Sequence, residues 1–171
     1  TFLQNCIAEN KRDQALEYIH QICTDIDNSC VIKYCKNEAL NLILSSYADQ
    51  AKESGIDVRI SVTATNFTRF QITDLCSLFA HALENAIHAC EKIPTSEKRY
   101  ITLKVFEKND RICINIANNY IQNPVFENEI PTSHEANHGI GVRSMISVVE
   151  KYHGVYGFFT ENKEFRFQAS L

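Results

Sequence analysis

Residues 73–92, TDLCSLFAHALENAIHACEK, carry Leu75, Leu78, Phe79, Ala82, Leu83, Ala86, Ile87 and Cys90 in a repeating i, i+3, i+4 rhythm. At about 100° per residue those positions share one face, so the spacing predicts a helix from about Thr73 to Lys92 with one side buried. Asn85 then falls beside Leu78 at the margin of the apolar stripe, with His81 one turn before it. Glu84 lies on the more polar side, near His88 one turn on.

Outward from this helix the period changes. Towards the C-terminus, Ile101, Leu103 and Val105 alternate, as do Ile112, Ile114 and Ile116, around the turn Lys108-Asn109-Asp110, which predicts a hairpin. Residues 118–137 show little periodicity and read as a loop of about 20 residues, a length usually reserved for lids or disorder. Val142, Met145, Ile146 and Val149 predict a helix from Gly141 to about His153-Gly154, and Val155–Thr160 with Phe165–Leu171 predict a closing hairpin. Towards the N-terminus, Val58, Ile60 and Val62 read as a half-buried strand. Leu40, Ile43, Leu44, Tyr47, Ala48 and Ala51 read as a helix capped by Asn37 and ended at Gly55. Residues 2–29 read as a helical hairpin in which Asp13 caps a helix with a narrow stripe of Ala15, Ile19, Ile22 and Ile26, suited to a bundle partner. The order predicts an α+β fold, a two-layer sandwich with a mixed, mostly antiparallel sheet and helices on one face. The expected division is a partial dimerisation hairpin at 1–29 and a main domain at 30–171.

The 171 residues, 44% of them hydrophobic, suffice for one well-filled core. A formal charge of -4 gives no electrostatic footprint for nucleic acid or anionic lipid. Seven cysteines make an odd set without a Cys-x-x-Cys pair, so reduced thiols are expected rather than a disulfide framework or a zinc site. No apolar run approaches the roughly 20 residues of a membrane span, so this segment is expected to make no direct membrane contact. The chain opens Thr1-Phe2-Leu3, and an upstream portion is expected.

Four groups carry chemistry. A carboxamide oxygen at a helix edge, as on Asn85, is a hard neutral ligand that suits magnesium retaining other bonds to phosphate and water; a boundary asparagine bonded to a loop is the plain alternative. His81 shares that face, and Glu84 could orient a water or take a proton, although a surface Glu–His pair reads equally well. Gly139 and Gly141 flank Ile140 before a helix, where backbone N–H groups at the positive helix end can meet an anion; Arg143 and Ser144 in the first turn could add to it. The alternation of Ile112, Ile114 and Ile116 aims Asn118 inward as the strand ends, where a buried carboxamide must find partners: a purine edge, or a turn backbone.

Together these motifs resemble the GHKL superfamily of ATPases and kinases. HALENAIHA (81–89) is similar to its N box, ICINIAN (112–118) sits where its adenine box follows a strand, and NHGIGVRSM (137–145) is similar to its glycine box. The resemblance is closer to sensor histidine kinases of peptide-pheromone type. Their Gly-x-Gly-φ-[Lys/Arg]-Ser start and the following VVEKYHG (148–154) are matched here; RDQALEYIHQI (12–22) resembles the second helix of their dimerisation hairpin, and NEALNLILSSYADQAKESGIDVRIS (37–61) their first catalytic helix and strand. The match spans nearly the whole chain.

The resemblance implies an ATP–Mg2+ site, with Asn85 on the metal, Asn118 towards adenine, Gly139 and Gly141 on phosphates within a site formed by His138 to Ser144 (including Val142), and residues 119–137 as a lid. It also implies a cytoplasmic kinase portion, soluble but anchored by a missing sensor region, that forms a homodimer through the hairpin and passes its phosphoryl group by relay to a response regulator receiver domain. Two departures stand out. Asn118 is followed by Asn119 and Tyr120 rather than by the Asp-x-Gly-x-Gly pattern, and His81 stands where relatives often have Asn or Glu. None of the six histidines sits on a first hairpin helix before an acidic residue, so the phosphoacceptor is expected upstream of Thr1. A non-catalytic nucleotide-gated interaction module, or an anti-sigma-factor-like serine kinase, would use the same fold.

Overall fold

A computed structural model of the chain describes residues 32–132 and 139–171; the expected hairpin at 2–29 and His138 lie outside them. Lys33–Leu171 forms one compact unit. Its helices are α1 (Glu38–Glu53), α2 (Ile72–Glu91) and α3 (Gly139–Lys151). Its strands are β1 (Asp57–Val62), β2 (Tyr100–Lys108), β3 (Arg111–Asn119), β4 (Val125–Glu127), β5 (Ile130–Thr132), β6 (Val155–Glu161) and β7 (Glu164–Ser170).

The main sheet runs β1-β2-β3-β7-β6. β1 and β2 pair in parallel and every other neighbouring pair is antiparallel, so the sheet is mixed and mostly antiparallel as expected. Its inner rows are Ile101, Leu103 and Val105, then Ile112, Ile114 and Ile116, then Phe167 and Ala169, all buried. Outer-row residues such as Lys104, Phe106 and Gln168 are exposed, so the core lies on one face only. α2 packs against α1, α3, β2 and β3, and the eight apolar positions of its stripe are all buried. Local chemistry closes α1 and the two long hairpins where the sequence calls for it. Asn37 Oδ1 accepts the Leu40 N–H at 3.1 Å at the start of α1, and Gly55 follows its end at φ +70°, a conformation that strains a side chain. Asn109-Asp110 and Asn162-Lys163 turn the two long hairpins with positive φ at both residues.

Two expectations need correction. The segment after β3 contains the small sheet β4–β5, turned at Asn128-Glu129; strands of three residues, one holding Pro131, are too short to show a period. α3 begins at Gly139, so both glycines lie inside its first turn. Glycine reads as a helix boundary because of its entropy cost, but the first turn tolerates it.

The four described cysteines, Cys35, Cys76, Cys90 and Cys113, are free thiols. Burial pushes the Cys90 thiol up to about 11, making it a poor nucleophile.

One clamp fixes α3 against α2. Asp74 accepts from Lys151 Nζ at 2.7 Å and from the Tyr152 hydroxyl at 2.6 Å, while that hydroxyl accepts the Gln71 N–H at 2.8 Å. The Lys151 and Tyr152 donors hold the Asp74 carboxyl below its usual value of 3.8. A depressed carboxylate stabilises the fold fully above its unfolded value and stops doing so as pH falls through the lower folded one. Asp74→Asn is therefore expected to lower stability by about 1–3 kcal/mol at neutral pH. The gap between wild type and variant, followed by thermal melting, should close as pH drops below 3.8; a gap independent of pH would refute the clamp.

Candidate nucleotide site

α2, the inner face of the sheet and α3 enclose a cavity of about 350 Å³. On α2 its wall is Ala82, Asn85, Ala86, His88, Ala89 and Lys92. The three alanines keep the helix from filling the space with larger side chains. Ile116 and Asn118 of β3, with Phe158, Phe165 and Phe167, form the sheet side. Val142 and Met145 of α3 close another wall. Tyr120, the 122–125 segment and Pro131-Thr132 of the small sheet complete it.

Strand register explains the floor. Asn118 pairs with Phe165 and Ile116 with Phe167 across β3–β7, and Phe158 pairs with Phe167 across β6–β7. Phe158 and Phe167 stack with centroids 5.1 Å apart, and Phe126 of β4 stacks on Phe165 at 6.5 Å. Aromatic contact thus seats the small sheet on the main one.

Asn118 is 2% exposed. Its amide donates to the Asn119 carbonyl at 3.0 Å, and no described residue donates to its oxygen. Asn119 is itself pinned, accepting the Tyr100 N–H at 2.9 Å and donating to the Lys98 carbonyl at 2.7 Å. The arrangement leaves a carboxamide oxygen for a donor in the cavity, while the turn-backbone alternative is realised on the nitrogen side.

Asn85 is also underused. Its amide nitrogen lies 3.9 Å from Met145 Sδ, a weak acceptor, and no described residue bonds its oxygen. One turn earlier, His81 Nδ1 lies 3.8 Å from Glu84 Oε2. Glu84 thus has His81 for a partner, where the sequence suggested His88. The His81 ring faces the start of α3: a Cβ placed on Gly141 would sit 3.4 Å from Nδ1. That absent Cβ is room in which backbone N–H groups of the helix entrance can meet an anion.

The structure therefore brings Asn85, Asn118 and Val142 into one cavity and sets His81 and Gly141 face to face one turn from Asn85. His81, Glu84, Ile140, Gly141, Arg143 and Ser144 do not line it. Ile140 and Arg143 are exposed, and Ser144 Oγ lies 3.4 Å from Ser77 Oγ. Lys92 and the three phenylalanines are lining residues that the sequence reading did not single out; His88 was read only as a neighbour of Glu84, and Tyr120 only as part of the lid at 119–137. Phe165 and Phe167 fall in the strand expected to close the chain, but only register shows which cavity they floor.

The donor set fits a magnesium-bound nucleotide: an open carboxamide oxygen on α2, a second, buried carboxamide on β3, and aromatic rings on the sheet side of the same cavity. Among the described residues no group of three or more His, Cys, Asp or Glu could hold a metal by itself, so a bound ion would need other donors as well. No described helix is long and apolar enough to cross a membrane.

Gly141→Ala separates fold from site. The new methyl meets His81 at ordinary contact distance, 3.4 Å, and alanine is the better helix former by up to about 1 kcal/mol. Thermal stability is expected to hold or rise slightly, while ATP affinity measured by calorimetry falls because the methyl occupies the anion approach. Unchanged affinity would remove Gly141 from the site.

Residues 70–171 match the family model described as GHKL domain. A search of curated protein sequences gives no match. Among solved structures, the catalytic domain of histidine kinase ThkA superposes with a TM-score of 0.62 at 14% identity, covering 79% of this chain and 91% of that one. The Acinetobacter baumannii histidine kinase AdeS gives 0.59 at 8% identity, covering 96% and 83%. ShkA, solved full-length in complex with AMPPNP, gives 0.54 at 12% identity over 77% of this chain and 28% of that one. At these identities the neighbours attest the fold, a sandwich like that of histidine kinase catalytic domains, and the family match stands on the sequence itself. The chain belongs to the GHKL domain family.

Proposed function

We propose that this chain is the cytoplasmic catalytic portion of a two-component sensor histidine kinase. It binds ATP with Mg2+ and passes the γ-phosphoryl group to a histidine upstream of Thr1, for relay to a response regulator receiver domain. The observation that carries the reading is the single cavity joining Asn85, Asn118 and the first turns of α3, elements far apart in sequence. Asn85 serves the metal, and the Asn118 oxygen accepts from the adenine amino group. The N–H groups of the α3 entrance at His138 to Ser144, with Gly139 and Gly141 leaving space, take the phosphates. In this reading His81 and Glu84 orient a water or hold a proton. Phosphoryl transfer depends on positioning and charge neutralisation, so this domain needs no nucleophile of its own. The hairpin at 2–29 would pair with a second copy in a four-helix bundle.

Calorimetric titration of ATP with and without Mg2+ tests the first half: metal-dependent binding is expected, and absence of binding sinks the proposal. Extending the chain upstream and assaying for acid-labile phosphate tests the second. A chain that binds ATP yet labels no histidine is a nucleotide-gated interaction module instead.

A further inference from the structure

We propose that Asn119 is a positioning residue of the nucleotide site: it holds the Asn118 carboxamide with its oxygen towards the cavity, and the site for this reason selects a purine with an amino group at C6 over one with a carbonyl there. The inference rests on the nucleotide reading above and concerns the base rather than the phosphates. A carboxylate at this strand end would present an oxygen whichever way round it sat. A carboxamide presents either an acceptor or a donor, so its orientation decides which base it takes.

The orientation follows from the hydrogen bonds. The Asn118 amide lies 3.0 Å from the Asn119 main-chain carbonyl, an oxygen that can only accept, so the nitrogen must be the atom that meets it. Turning the carboxamide over would set two acceptors against each other in a residue 2% exposed, which burial makes costly. The carbonyl is itself held in place. The Asn119 side chain accepts the Tyr100 N–H at 2.9 Å and donates to the Lys98 carbonyl at 2.7 Å, straddling the start of β2. The next N–H, of Tyr120, donates to the Lys163 carbonyl at 3.2 Å, and the Cys90 thiol lies 3.6 Å from both the Asn119 carbonyl and its Oδ1. Asn119 is thus pinned from β2, from the β6–β7 turn and from α2. The Asn118 oxygen is left as an acceptor in the cavity floored by Ile116, Phe165 and Phe167, an apolar and aromatic surface suited to a planar heterocycle.

The test titrates ATP, purine riboside triphosphate and inosine triphosphate into the chain with Mg2+ by calorimetry; at C6 they carry an amino group, a hydrogen and a carbonyl. Affinity is expected to fall in that order, with inosine triphosphate about 100-fold weaker than ATP, the scale of a buried polar group left without its partner. In Asn119→Ala the ratio between ATP and inosine triphosphate is expected to shrink about tenfold. A role in folding alone would weaken both alike, so an unchanged ratio overturns the proposal. Equal affinity for the two in wild type, or a preference for inosine triphosphate, overturns it while leaving the nucleotide reading intact. If wild type binds none of the three, both fall together. Protein labelled with 15N-asparagine gives a reading that needs no substitution. The Asn118 side-chain amide is expected to be protected from exchange with water before and after ATP is added; an amide that exchanges freely, or is protected only with ATP, refutes the lock.

Discussion

Phe79→Ala is expected to remove about 3–5 kcal/mol of folding stability, the cost of emptying a large aromatic side chain from a core that relaxes only in part. Phe79 is 1% exposed at the middle of α2, the helix that packs on α1, α3, β2 and β3. α2 thus meets two helices and two strands, so a void there is shared by both layers. Domains of this size are stable by roughly 5–15 kcal/mol in total, and the variant should be largely destabilised at 37 °C. Urea denaturation gives the reading: the midpoint falls while the slope stays constant. Leu42→Ala makes the control, because Leu42 is 69% exposed on α1 and a surface change of this kind stays within about 0.5 kcal/mol. A loss below about 1 kcal/mol for Phe79→Ala would mean that the core is not packed as described.

What the sequence disclosed follows from range. The α2 stripe, the Asn37 cap and the two long hairpins are set by residues within a few positions of one another, and all appear as expected within a residue or two. Even the inward aim of Asn118 is local, since a strand of period two leaves only one side for it once Ile112, Ile114 and Ile116 are buried. The cavity depends on more distant relations. Phe165 and Phe167 reach it only because β7 lies between β3 and β6 in the order β1-β2-β3-β7-β6, a topology that no periodicity encodes. The β4–β5 pair hid for a different reason: it is held to the main sheet by Phe126 stacking on Phe165, a tertiary contact rather than an alternating pattern. His81 facing Gly141 is likewise a meeting of two helices about sixty residues apart, and it altered the pairing expected for Glu84.

Asn85→Ala is expected to weaken ATP–Mg2+ binding about 100-fold, roughly 2.7 kcal/mol, and to leave the fold untouched. The two halves of that expectation come from separate observations. Asn85 makes one described side-chain hydrogen bond, 3.9 Å from its amide to Met145 Sδ, and sulfur is a weak acceptor; removing it should move the melting temperature little. Its oxygen, by contrast, is the neutral hard donor on the α2 wall of the cavity, where loss of one ligand from an ion that tolerates few substitutes is costly. The diagnostic is the metal dependence. If Asn85 acts through the ion, its removal should hardly affect the weak binding of ATP measured with a chelator present, and the wild-type gain on adding Mg2+ should nearly disappear. An equal loss with and without metal would instead assign Asn85 to the nucleotide itself. Asn85→Asp sharpens the distinction: the carboxylate keeps an oxygen ligand but sets a negative charge against the phosphates, so it should retain ion binding without nucleotide and still lose ATP–Mg2+ affinity.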